Sequence, residues 1–137
     1  MLLIVDANVV LSALIPGSKS IDLLTKLEKT GYKFFSPEFL LEEVNKNIPS
    51  LVKTSGLTRE ELQAAFTLLL KRIEIISKSE YEEFLLEAKR VSPDVKDVPY
   101  FALAIKMKCP LWSREPRLKR QKAVKVLDDK DVEELLK

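Results

Sequence analysis

The chain has 137 residues, 46% of them hydrophobic and 32% charged, with a formal net charge of +2. That is the composition of a globular protein, and its length predicts one domain over residues 1–137 with a single substantial core. With no histidine, one cysteine and three glycines, it cannot build a Ser-His-Asp or Cys-His centre, a histidine-ligated metal site, a zinc finger, an internal disulfide or a Walker-type phosphate loop.

"LLIV" at residues 2–5 reads as a fully buried strand. "ANVVLSALI" follows with helical apolar spacing and stops at Pro16-Gly17. "SIDLLTKLEKTG" is an amphipathic helix with Gly31 as the residue after its cap. "YKFFS" is a second strand, and Pro37 suits the first turn of a helix through "EFLLEEVNKNI". "LTREELQAAFTLLLKR" is a helix with Thr58 and Glu61 as a capping box. "IEII" is a third strand, and "SEYEEFLLEAKRV" a helix capped by Ser79 with Glu82. "SPDVKD" is a loop, "VPYFALAIKMK" an apolar helix and "PLWS" a fourth strand. After the basic "REPRLKRQK" come a fifth strand, "AVKVL", and a last helix, "DVEELLK". Short apolar strands alternating with helices predict a three-layer α/β/α domain with a parallel sheet. No apolar run approaches the ~20 residues of a membrane span. The N-terminal run lacks a basic leader, and with Cys109 as the lone cysteine a cytoplasmic location without membrane contact is expected.

An enzyme made from this inventory works with carboxylates, hydroxyls, Lys and Arg, and most simply with a metal. In parallel α/β sheets the ligand site lies beyond the carboxyl ends of the strands. Asp6 ends the first strand, Asp94 and Asp97 precede the apolar helix, and Glu115 follows "PLWS". Glu43 lies on the helix after the second strand, i+4 from Phe39 and i+3 from Leu40, nearer the buried stripe than Glu42. Each has a plainer reading: Asp6 and Asp97 as helix caps, Asp94 as a turn residue, Glu115 as helix-start chemistry, Glu43 as a solvated face. Jointly they point to a metal. Gathered carboxylates raise one another's pKa, and a hard divalent cation, Mg²⁺ or Mn²⁺, relieves that repulsion with all-oxygen ligation. Such a site activates water for in-line phosphodiester displacement. Asn8 and Ser113 add neutral hydrogen bonds around the acids.

The basic run "SREPRLKRQKAVK", which contains Glu115, carries Arg114, Arg117, Lys119, Arg120, Lys122 and Lys125. A charge run is commonly a solvated face. Beside an acidic metal site it reads as contacts to an RNA phosphate backbone, with Arg114 and Arg117 nearest the acids and Lys119 and Arg120 behind them. Trp112 reads as core packing, not as a base-stacking platform.

The chain resembles PIN-domain ribonucleases, and more narrowly the small VapC-like toxins. The resemblance rests on "IVDANVVLSAL", "SPEFLLEEV", "DVKDVPYFALAI" and "CPLWSREPRL", and it spans nearly the whole chain. It implies a five-stranded parallel sheet in 3-2-1-4-5 order and Mg²⁺- or Mn²⁺-dependent cleavage of single-stranded or structured RNA. It also implies frequent homodimers and, in toxin members, an antitoxin whose C-terminal segment covers the acidic groove. Asp6, Glu43 and Asp97 match the family's first three acids, Asp94 a frequent additional one, and Ser113 the Ser/Thr of the fourth motif. Two residues after that Ser/Thr the family usually has Asp; here Glu115 reaches one methylene further, which bears on second-metal coordination and on activity. Two rivals belong to other classes. One is a weakened PIN module that binds RNA or a protein without cleaving. The other is a phosphatase with Asp6 as nucleophile, disfavoured because its D-x-D motif would need an acid where Asn8 stands.

Overall fold

An apolar run can be buried on both faces only if layers cover it from both sides, and the first strand, β1 (Leu2–Val5), shows this: Leu3, Ile4 and Val5 are fully buried. The structure, a computed structural model, describes residues 1–137. After β1 come α1 (Ala7–Ala13), α2 (Lys19–Lys29), β2 (Lys33–Pro37), α3 (Phe39–Ser55), α4 (Arg59–Leu70) and β3 (Ile73–Ile76). Then follow α5 (Lys78–Tyr81), α6 (Leu85–Val91), α7 (Val98–Met107), β4 (Leu111–Trp112), β5 (Val126–Leu127) and α8 (Asp129–Leu135). Short 3₁₀ turns lie at Glu82–Phe84, Val95–Asp97 and Pro116–Arg120.

The five strands form one sheet in the order β3-β2-β1-β4-β5, every pairing parallel. This is the expected three-layer α/β/α arrangement with the expected strand order. The chain first builds outward from β1 through β2 to β3, then returns to lay β4 on the other side of β1. The topological switch point is therefore the crevice between β1 and β4, where Val5 pairs with Trp112. One apolar core of 34 buried residues fills the molecule. Trp112 belongs to it, fully buried, with its indole N–H donating to Asp129 Oδ1 at 3.1 Å. The buried Ser36 hydroxyl donates to the Val5 carbonyl, tying β2 to the end of β1. No helix is long and apolar enough to cross a membrane.

Several local expectations hold. Thr58 and Glu61 form the capping box of α4, and Gly31 takes a positive φ of 94° just after α2. Others are corrected. Pro37 closes β2, so α3 starts at Phe39; and α3 continues through Pro49 to Ser55, past the expected end at Ile48. A proline removes one helical hydrogen bond, but Ile48 is buried and Leu51 and Val52 pack on the core, which holds the helix together until left-handed Gly56 ends it. The helix expected over residues 79–91 starts one residue earlier, at Lys78, after Ser77 and not Ser79. Glu38 Oε1, from another part of the chain, accepts the Lys78 N–H at 2.5 Å. A 3₁₀ turn interrupts this helix, although Tyr81, Phe84, Leu85 and Ala88 keep one apolar stripe facing the core. β5 is shorter than "AVKVL" because the Gln121 side chain takes up both the N–H and the carbonyl of Val124. α8 begins earlier, at Asp129, because Asp128 and Asp131 form a capping box there.

The fully buried Ile4 sits mid-sheet, one residue before Val5 leads into Asp6. Ile4→Ala is expected to cost about 2–5 kcal/mol in a denaturant titration; a loss below about 1 kcal/mol would contradict a close-packed β1.

Candidate active site

The sheet's switch point sets the site. Asp6 follows β1 directly, and its N–H donates to the Trp112 carbonyl of β4 at 3.2 Å, so its backbone bridges the two strands flanking the crevice. Its side chain is 4% exposed. One oxygen caps α1 by accepting the Val9 N–H at 3.1 Å. The cap and the site are thus the same residue. Burial pushes the Asp6 carboxyl up to about 6, against the stabilising hydrogen bonds of the Ser113 hydroxyl and the Val9 N–H, with Glu43 adding like charge. Ser113 is itself buried and accepts the Glu115 N–H at 3.1 Å, which leaves its proton for Asp6.

Asp97 heads α7 but makes no capping hydrogen bond, so its carboxyl is free. Burial pushes it up to about 7, and Asp6, Asp94, Glu43 and Glu115 all add to the rise. That set is the five acids singled out in the sequence, now within one another's field. Glu43 is half-buried on α3, whereas Glu42 beside it is exposed. Burial raises the Glu43 carboxyl too, countered by the Tyr100 hydroxyl, which donates to Glu43 Oε1 at 2.5 Å.

Asp94 and Glu115 form a different half. Asp94 accepts the Lys96 N–H at 3.0 Å, and Glu115 Oε1 accepts the Arg117 N–H at 3.1 Å, so each caps a short 3₁₀ turn. The Arg117 guanidinium bridges them, with Nε on Glu115 Oε1 and an Nη on Asp94 Oδ2, both at 3.1 Å. These contacts hold both carboxyls below their ordinary values.

The donor set is wholly oxygen, which suits Mg²⁺ or Mn²⁺ and not zinc. Burial together with like charge leaves the Asp6–Glu43–Asp97 half short of a cation. As the side chains stand, no group of three acids is disposed to hold an ion. The carboxylates are instead taken up by Val9, Tyr100 and Arg117, and Asp97 alone has no partner.

Of the basic run, Arg114, Arg117, Lys119 and Arg120 are all exposed. Arg114 pairs with Asp129 at 3.5 Å, and Lys119 with Asp128 at 2.8 Å and Asp131 at 2.6 Å. Arg120 has no ion pair within the chain. Asn8 is exposed and its side chain makes no hydrogen bond. Sequence reasoning missed Tyr100, which is buried, packs edge-on against Phe39 with ring centroids 6.4 Å apart, and holds Glu43. The available signal was its place three residues after Asp97, one turn along the same helix face.

These shifts fix how stability depends on pH. An ordinary aspartate ionises near 3.8, but folded Asp6 and Asp97 do so at about 6 and about 7. Between those values the folded chain holds more protons than the unfolded one, so stability falls as pH rises. Asp94, Glu115 and Asp128 are shifted down, and their protons are gone below that window. From about pH 5 to about pH 8, metal-free protein is expected to lose on the order of 2 kcal/mol, after discounting for partial exposure. Asp97→Asn removes most of the loss. Thermal melts across that range check it; a flat or rising profile, unchanged by the variant, would contradict the burial of these acids.

Residues 4–132 match the PIN domain family. Among solved structures, VapBC2 from Rickettsia felis bound to a DNA fragment from its promoter is similar, with a TM-score of 0.68 and 18% identity over 93% of this chain and 98% of that one. At that identity the likeness speaks to the fold alone. No curated protein sequence matches significantly. The parallel sheet, the acids gathered at its switch point and the match along almost the whole sequence agree: the chain belongs to the PIN domain family.

Proposed function

We propose that this PIN domain is an Mg²⁺- or Mn²⁺-dependent endoribonuclease that cleaves single-stranded RNA at the acidic site. The observation that supports it most is Asp97, a partnerless carboxyl held up to about 7 by burial and by four neighbouring acids. A group in that position is relieved by a divalent cation and by little else in this chain, which has no histidine. Asp6, Glu43 and Asp97 are the residues that would hold the ion; Asp94 and Glu115 lie at its edge. When bound, the ion supplies water activation and neutralises charge developing on the phosphate. Asp6 is positioned by α1 and β4, and Ser113 keeps its carboxylate oriented. Tyr100 fixes the carboxylate of Glu43. Arg114, Lys119 and Arg120 would meet the RNA phosphates. The ion pairs that Arg114 and Lys119 make now lie at the surface, are weak, and yield readily to a polyanion, and Arg120 has none to give up.

A toxin role, with an antitoxin partner and a homodimeric, cytoplasmic state, extends this reading. Its support is the VapC-like pattern of the motifs and the likeness to a VapBC2 assembly on promoter DNA. A non-cleaving module that binds RNA or protein is favoured by one observation: Glu115 and Asp94 already carry Arg117.

Asp6→Asn is expected to lower Mn²⁺-dependent cleavage of single-stranded RNA by at least about 100-fold, with circular dichroism unchanged, because Asn keeps the Val9 cap. Tyr100→Phe, which removes only the hydroxyl on Glu43, is expected to lower it about tenfold. Wild-type cleavage by Asp6→Asn would sink the assignment, and absence of Mn²⁺ binding at millimolar levels would favour the module.

A further inference from the structure

Arg117 is the one cation paired directly with acids of the cluster, whereas the side chains of Lys96 and Lys46 act on Glu43 and Asp94 only through their field, and it is built in. Pro116 fixes the backbone ahead of it, and Leu118 behind it is fully buried in the core. Its own N–H is held by the Glu115 carboxylate. The guanidinium then spans two acids that are 21 residues apart in sequence, Glu115 through Nε and Asp94 through Nη. The planar fork of the guanidinium presents separate N–H groups to the two carboxylates, with a directionality that a lysine ammonium, a compact point charge, does not have. The extra methylene of Glu115, compared with an aspartate, gives its carboxylate the reach to take both the backbone N–H and the Nε of Arg117.

We propose that Arg117 is a resident counter-ion that takes the place of a second metal, limiting the acidic site to one divalent cation. This rests on the metal-dependent reading above. Formal charge supports it. Once ionised, Asp6, Glu43 and Asp97 carry −3, and one divalent ion brings that half to −1. Asp94 and Glu115 carry −2, and Arg117 brings that half to −1 as well. A second divalent ion beside Arg117 would set +3 against two carboxylates, whereas without Arg117 it would match them. The bridge is also displaceable, because the Arg117 side chain is 51% exposed and exposed ion pairs are weak. Occupancy of the second place is therefore set by competition between the guanidinium and the ion.

Calorimetric titration of the whole chain with MnCl₂ tests this. Wild type is expected to bind one ion. Arg117→Gln is expected to bind two, the second at least about tenfold tighter than any further binding that wild type shows over the same MnCl₂ range. Lys122→Gln removes the same charge from an exposed, unpaired residue and is expected to stay at one ion. A single ion of wild-type affinity in Arg117→Gln, two ions in wild type, or a second ion gained by Lys122→Gln would each overturn the proposal. Wild type binding no Mn²⁺ would overturn the metal-site reading beneath it, a separate failure.

Discussion

Carboxylates repel one another, and the repulsion grows as water is removed. The parallel sheet makes that conflict unavoidable here. β1 is buried on both faces, so the residue that follows it emerges in a largely desolvated crevice, and that residue is Asp6. α7 delivers Asp97 to the same edge, α3 delivers Glu43, and the turns before α7 and after β4 deliver Asp94 and Glu115. Most other features of the site are ways of bearing this accumulation of charge.

Three of those ways are visible, and each uses a different group. The start of α1 supplies backbone N–H groups to Asp6, where the helix dipole also favours an anion. A buried tyrosine supplies a hydroxyl to Glu43. A structured 3₁₀ turn supplies a guanidinium to Glu115 and Asp94. Asp97 receives none of these. A fold that gives four acids a hydrogen-bond or ion partner and leaves the fifth without one concentrates its unmet need for positive charge at that point. The same conflict makes the site a burden on folding, as sites built for chemistry commonly are.

Much of this was legible in the residues. "LLIV" ending in Asp6 identified a strand buried on both faces, and the alternation of strands and helices identified the layers. The order 3-2-1-4-5 came from family resemblance; no local pattern carries it. Glu43 was separated from Glu42 by its spacing from Phe39 and Leu40, and the burial difference follows that spacing. What was not legible depends on contacts between distant parts of the chain. Pro49 signals a helix end, but packing by Ile48, Leu51 and Val52 overrides it. Ser79 looked like a cap until Glu38, 40 residues away from Lys78, supplied the bond. Tyr100 read as one more apolar residue of α7, since only the fold shows that its hydroxyl meets Glu43. Arg117 and Lys119 read as free positive charge, yet both are held by acids that the folded chain brings to them.

The central claim is that the fold holds Asp97 in want of a cation. Carbon-13 NMR titration of the Asp97 side-chain carboxyl, with and without saturating Mg²⁺, measures this directly. The account predicts ionisation at about 7 in metal-free protein, moving below about 4 when Mg²⁺ is present. Ionisation near 3.8 in both conditions would contradict it.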